Sequence, residues 1–399
     1  MQKEKIRKIA YICLFIAVFV STSGGFFVSQ NIAEAGKSKV TKWQTKLVKA
    51  GIDQSLWQKY LPKISRKECN KVMKAWKKTG STTAQTASTV QASSFGQDIT
   101  VGLIEYTKSN LKNSPFRIHA NKDYNIRNKD GTVLASVPAA TETKVNYASS
   151  ENMKVSGSIA DAVVAKEVSF DAADGNNSDM IFDINKPNTN YDQYRGKMKL
   201  RYYDGSGSDA DRIWAINTLP LEQYVWGMGE ITGTGPTDHN RVMTTAFRTY
   251  GYWYITYANK YKNQGFKLTA TSGNQIYYGY DHEVSYPRIK VAADDTRGKI
   301  VKYKGEIAIT PYSSWTDGKT RSWKDRWGSS EYPWCKSVED PYGKNSSMST
   351  KALEDAGNHM VGLSAHGSLK LADPDEKYKW DWEKILKYYY TGIDITNIY

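Results

Sequence analysis

Histidine and cysteine are both scarce, with five and three in a chain of 399 residues. His119, His239, His282, His359 and His366 lie far apart, and neither a CxxC pair nor an HExxH helix occurs. The spacing that gathers zinc ligands is therefore missing. Three cysteines do not make a disulfide framework. Cys69 and Cys335 could pair in an oxidising compartment, but at this separation free buried thiols are expected. No GxSxG elbow and no glycine-rich phosphate loop is present, which argues against a serine hydrolase of that type and a nucleotide-binding fold. Neither a metal nor a cofactor is expected.

Acidic residues are few only at the start of the chain. The net charge is +14, yet residues 1–80 hold 17 Lys and Arg against 4 Asp and Glu, leaving a net of +1 for the other 319 residues. A nucleic-acid groove needs a basic face on the domain that binds, so no nucleic-acid partner is expected. Aromatic residues reach 13%, with 28 Tyr, too many for a disordered polymer. At roughly 150 residues per domain the length suggests two or three folded units.

Lys3, Lys5, Arg7 and Lys8 precede an apolar run from Ile9 to Val20, with a second patch at Phe26 to Val28 and a small-x-small site at Ala33-Glu34-Ala35. Residues 1–35 read as a secretory signal peptide, or as a membrane anchor if the run extends to Val28. Either way the rest of the protein is expected to be secreted or membrane-anchored, facing outside the cell. Residues 36–79 read as a small basic segment of three short helices, in which Ser65 and Glu68 have capping-box spacing. Residues 36–80 carry 13 Lys and Arg against 2 Asp and Glu, which suits anionic wall polymers or lipid headgroups, or else a solvated face of a partner-binding bundle. Residues 80–96 are small, polar and uncharged, a flexible linker.

Residues 97–205 read as β-rich, with strands at Ile99–Tyr106, Phe116–Ala120, Thr143–Tyr147 and Met198–Tyr203. In residues 206–399, Thr237 can cap a helix running to about Lys260, where Val242, Ala246, Tyr250, Trp253, Tyr254 and Tyr257 share a face. It is expected to be long and buried, with its tyrosines in the core. Strands follow at Lys299–Tyr303 and Ile307–Pro311, and a last helix near Trp380–Tyr390. The expected fold is α+β: a mixed β-rich domain with a long buried helix and a C-terminal helix, after the basic helical segment.

The string Gly227-Met228-Gly229-Glu230-Ile231-Thr232-Gly233-Thr234-Gly235-Pro236 sets one carboxylate among four glycines just before the long helix. Such a loop would let a polymer come close. On residues alone, Glu230 reads as a turn or capping carboxylate or as an acid–base group.

Several motifs agree in order beyond it. They are Tyr194-Arg195-Gly196, the run Ile216-Asn217-Thr218-Leu219-Pro220-Leu221-Glu222-Gln223-Tyr224, Ala246 to Tyr250, Gln275-Ile276-Tyr277-Tyr278-Gly279, Thr296 to Gly305, Ser314 to Thr320, His359 to Gly367, and Ile385-Leu386 to Gly392. In this order the chain from Tyr194 resembles the stage II sporulation protein D family, the SpoIID/LytB domain. The resemblance implies a peptidoglycan lytic transglycosylase that cleaves glycan strands to 1,6-anhydro sugar ends, with Glu230 as general acid and then base. Glu222 is the rival carboxylate, with an anchoring role. Around the glycan the resemblance places Arg248, Gln275, Tyr277, Ser313, Ser314, Lys319, Thr320, His359 and Ser364, although Arg248 could instead tie the helix to the sheet. Trp315 and Trp323 would offer stacking faces.

The chain departs from the family in four places. Ser313 stands where a His commonly precedes the Ser-x-Ser-Gly-Gly loop, and that loop's Gly-Gly pair reads Asp317-Gly318. Glu-Met-Pro becomes Glu230-Ile231-Thr232, and Leu268 to Gln275 has no Cys or His where some members hold zinc. The alternative role is a non-catalytic amidase enhancer, partnered by a wall amidase or other wall-remodelling protein, or a wall-glycan-binding module.

Overall fold

A computed structural model describes residues 95–187, 189–205 and 211–399. The expected signal or anchor at 1–35, the basic helices at 36–79 and all but the end of the linker lie outside the described residues, as do Cys13 and Cys69. The described residues all belong to one compact unit, Ala92–Tyr399. Among the described residues no helix is long and apolar enough to cross a membrane.

The first half is β1 (Asp98–Thr107), α1 (Lys108–Asn113), β2 (Phe116–Ala120), β3 (Tyr124–Asn128), β4 (Val133–Val137), β5 (Thr143–Ser149), β6 (Asn152–Ser156), β7 (Ala162–Ala165), β8 (Glu167–Ala172), β9 (Ile181–Ile184), β10 (Gln193–Arg195), β11 (Lys197–Tyr203) and β12 (Arg212–Pro220). The second is α2 (Leu221–Trp226), α3 (Thr237–Tyr257), β13 (Leu268–Thr269), α4 (Tyr280–Ser285), α5 (Pro287–Asp295), β14 (Lys299–Tyr303), β15 (Glu306–Ile307), β16 (Tyr312–Ser313), α6 (Trp323–Trp327), α7 (Thr350–Asp355), β17 (Leu363–Ser364), α8 (Ala365–Ala372), α9 (Trp382–Tyr389) and β18 (Asp394–Asn397).

The fold is α+β. A seven-stranded sheet runs β13-β1-β12-β11-β8-β3-β4 and a six-stranded one β10-β9-β2-β5-β6-β7. The alternation of buried and half-exposed residues along β11 and β8 leaves each strand one apolar face. Rings join the two sheets: Phe182 of β9 meets Tyr124 and Phe170 with centroids 5.7 and 6.4 Å apart, and Phe116 of β2 meets Tyr106 at 6.1 Å. Strands on both sides of residue 205 share the first sheet, since β11 pairs with β12 from Lys197↔Thr218 to Tyr203↔Arg212.

α3 starts at Thr237, but Pro236, not Thr237, occupies its cap position. From His239 to Gly251 the helix is buried except at Arg241 and Tyr250, which are half-buried, as are Tyr252, Trp253 and Tyr254, while Tyr257 is exposed. The tyrosine end is thus not wholly core, contrary to the periodicity. The expected strand Ile307–Pro311 is also shorter than its sequence suggests. Only Glu306–Ile307 pairs, because the carbonyl of Ile309 accepts the Trp334 indole N–H at 2.8 Å and Thr310 turns its hydroxyl to the Ala246 carbonyl at 2.7 Å.

Candidate active site

β12 delivers the chain into α2, whose end at Gly227 opens the glycine loop. This loop lies directly on residues 276–279. The Gly229 N–H donates to the Ile276 carbonyl at 2.8 Å, and the Gly227 carbonyl accepts from Tyr278 and Gly279 at 2.9 and 3.2 Å. A Cβ on Gly229 would stand 2.3 Å from Tyr278 Cδ2, and one on Gly227 2.7 Å from the Gly279 carbonyl oxygen. These two glycines therefore serve contact of the chain with itself, not the approach of a polymer as the sequence suggested.

Glu230, half-buried, follows in this strapped turn. Its Oε1 accepts the Ile276 N–H at 2.8 Å, and the Tyr312 hydroxyl is a second donor. Behind Tyr312, Gln275 Nε2 donates to the phenol oxygen at 3.2 Å, and the Tyr224 hydroxyl donates to Gln275 Oε1 at 3.0 Å. The donors all point one way, from Tyr224 through Gln275 and Tyr312 to the carboxylate. Glu230 makes no ion pair with any described residue. Burial raises its pKa above the usual carboxylate range, while the Ile276 and Tyr312 hydrogen bonds hold the rise in check. Such an acid keeps its proton closer to neutrality, and once the proton leaves, two donors receive the anion.

The other expected residues divide. Gln275 stands beside Glu230, through Tyr312. Arg248 is sealed in the interior on Glu222, so it ties helices together and is not placed to touch a ligand. Glu222 is the expected anchor, holding Arg248, the Gly298 N–H at 2.9 Å and the Tyr399 hydroxyl. Tyr277 is buried and donates to Asn217 Oδ1 at 3.1 Å, while Asn217 Nδ2 bonds the Arg195 and Lys197 carbonyls at 2.7 and 3.0 Å. Thr320 is buried on Val338 N and the Lys336 carbonyl. Ser364 is buried as the cap of α8, accepting Gly367 N at 3.1 Å, and bonds Asp340. Ser313 Oγ accepts the Met360 N–H at 3.2 Å.

His359 is half-buried with both ring nitrogens engaged. Nδ1 accepts Val361 N–H at 3.0 Å and the ring donates to the Tyr312 carbonyl; burial pushes the imidazole down to about 4. It thus braces Tyr312. Ser314 and Lys319 are exposed, Lys319 beside a shallow groove with Asp317, Glu339 and Lys344. Trp315 already stacks on His366, with centroids 3.4 Å apart, and Trp323 packs between Trp327 and Tyr332 at 4.4 and 4.0 Å.

Sequence reasoning missed Tyr312 and Tyr224. Tyr312 directly precedes the Ser313-Ser314 pair that the motifs singled out, the one signal that could have found it. Leu268 to Gln275 supplies no ligand for the zinc that some family members hold. Among the described residues no three His, Cys, Asp or Glu side chains are grouped to hold a metal ion.

A partly buried carboxyl with no ion-pair partner among the described residues, facing a relay of neutral donors, has the features an acid–base group needs, on an α+β frame. Residues 209–303, which carry Glu230, Arg248 and Gln275, match the model of the SpoIID family, described as Stage II sporulation protein, which supports membership of that family. The match points to a sporulation- or cell-wall-related protein. No curated protein matches the chain.

Proposed function

We propose that the protein is a peptidoglycan lytic transglycosylase in which Glu230 serves as acid and then as base. The Glu230 carboxylic acid gives its proton to the glycosidic oxygen, and the C1–O bond breaks with its electron pair leaving on that oxygen. The sugar's 6-hydroxyl oxygen then bonds to C1 and passes its proton to the Glu230 carboxylate, which closes the 1,6-anhydro ring and restores the acid. One carboxyl suffices because the nucleophile belongs to the substrate, unlike the two-carboxylate arrangement of most glycosidases. The observation that carries this reading is the environment of Glu230: burial favours the protonated form, no cation among the described residues pins it, and Ile276 N–H and the Tyr312 hydroxyl stabilise the anion.

A second reading is a non-catalytic amidase enhancer or glycan-binding module. It is favoured by the burial of Arg248, Tyr277, Thr320 and Ser364, which leaves few of the expected contacts free for substrate. In either role the protein would work on the outer face of the membrane, secreted or anchored, with residues 36–80 attaching to anionic wall polymers or lipid headgroups. The test is mass analysis of sugar ends after incubation with purified wall glycan. Anhydro ends released by the wild type and abolished by Glu230→Gln support the enzyme, whereas glycan binding without release in both supports the second reading.

A further inference from the structure

Glu230 sits in a turn with no proline after it, in Glu230-Ile231-Thr232-Gly233, so no ring restricts the backbone. Other contacts must hold it. Behind the turn lies α4, where His282 is 2% exposed and its Nε2 stands 3.0 Å from the Ile231 carbonyl oxygen. The opposite nitrogen, Nδ1, has no partner among the described residues. A carbonyl only accepts, so the ring's proton is on Nε2. Tyr286, Tyr278 and Tyr191 crowd the imidazole, with centroids 4.5, 5.5 and 5.8 Å away, and Tyr191 and Tyr278 stack at 4.3 Å. Tyr278 is also the ring on which Gly229 rests.

We infer that His282 is a positioning residue for Glu230, fixing the Ile231 carbonyl so that the carboxyl stays on the Ile276 amide. The two neighbours of Glu230 are thereby held by one short stretch of chain, Gly229 by Ile276 and Tyr278 and Ile231 by His282. Burial lowers the His282 pKa, which keeps the ring neutral and leaves the Nε2–H as its only donor. The phenols of Tyr224, Tyr250 and Tyr312, which lie within electrostatic reach of Glu230, are all pushed up by burial, so the carboxyl titrates without them in the acid range.

The kinetic part of this inference rests on the proposed transglycosylase reaction; the positional part does not. The test compares His282→Leu and His282→Gln in the full chain, following glycan turnover and the Glu230 carboxyl titration by carbon NMR, assigned through its loss in Glu230→Gln. Leucine fills the space without a donor, while glutamine returns an Nε2–H near the same place. The expected result for His282→Leu is kcat down roughly 10-fold with KM unchanged, and a carboxyl that titrates lower because the loosened turn lets in water. His282→Gln restores both. Wild-type values in His282→Leu, or an equal deficit in His282→Gln, overturn the inference. If the wild type turns over no glycan, the proposed reaction fails and the titration alone decides the role of His282. A fall with leucine reversed by glutamine supports that role, and an unmoved titration overturns it. If His282→Leu does not fold, nitrogen NMR of the wild type decides: an Nε2–H tautomer with a slowly exchanging proton supports the inference, and an Nδ1–H tautomer overturns it.

Discussion

Arg248 closes on both oxygens of Glu222, Nε to Oε1 at 2.7 Å and Nη2 to Oε2 at 2.8 Å, with neither side chain reached by solvent. The same guanidinium bonds the Ala293 carbonyl at 2.8 Å and the Thr296 hydroxyl and Lys299 carbonyl at 3.3 Å each. One ion pair therefore joins α2, α3 and the end of α5 behind the Glu230 loop.

Removing one partner leaves a buried charge unanswered, which costs about 3–5 kcal/mol. Arg248→Met and Glu222→Leu are each expected to lose stability of that order. The double variant is expected to lose less than the sum, because no charge is then stranded. Urea unfolding of all four proteins in a double-mutant cycle measures the coupling, and simple additivity would deny it.

Glu230 gives a pH prediction of definite sign. Its folded pKa is raised, so between the unfolded value and the folded one the native state binds more protons than the unfolded state. Stability then falls as pH rises through that window. Glu230→Gln removes the titration, so the variant is expected to gain on the wild type as pH climbs from about 4 toward neutrality, the reference carboxyl titrating near 4.3. Denaturant midpoints of both proteins across that range check it; a difference independent of pH would show that the environment does not favour the acid.

Tyr312 supplies the hydroxyl that receives the Glu230 anion, and Tyr312→Phe deletes it while stranding Gln275 Nε2. Two effects are expected together. In the proposed reaction the step in which Glu230 gives up its proton and becomes the carboxylate slows, with kcat falling roughly 10-fold or more, as when other preorganised donors are removed. Because the lost hydrogen bond had lowered the Glu230 pKa, the limb of the pH–rate profile on which activity falls as the acid ionises moves to higher pH. A profile that drops without moving would place Tyr312 outside the acid's environment.

The frame of the protein was legible where a strand carries its own alternation. Phe116–Ala120 and Lys299–Tyr303 have the expected bounds. Ile307–Pro311 misled because an apolar run says nothing about where its carbonyls find donors, and here Trp334 and Leu363 supply them. The same limit governs the site. Glu230 could be singled out as a lone carboxylate among glycines, but Tyr312 is one of 28 tyrosines and its role depends on a fold that brings β16 onto the loop. Thr320 and Ser364 show the converse. Small polar residues in a motif look like ligand contacts, and only burial shows their hydroxyls spent on Val338 N and Gly367 N.

Gly229 ties the packing to the chemistry. A methyl group there would meet Tyr278 Cδ2 at 2.3 Å, Tyr278 Cε2 at 2.6 Å and Ile276 Cγ2 at 2.9 Å, distances that force the turn or the ring to move. Overpacking of this kind costs about 1–3 kcal/mol, so Gly229→Ala is expected to lower the melting temperature. Activity is expected to fall further than stability alone explains, because a displaced turn carries Glu230 off the Ile276 amide. Gly273→Ala is the control: its added carbon would meet only Thr271 Oγ1 at 3.5 Å, an ordinary contact, so stability and turnover should both stay at wild type. Trimming the ring in Gly229→Ala/Tyr278→Ala separates the two effects. The clash with the ring is removed, leaving only the Ile276 Cγ2 contact at 2.9 Å, so the added methyl lowers the melting temperature less in the Tyr278→Ala background than in the wild type, and turnover recovers in parallel only if the position of the turn sets the position of the acid.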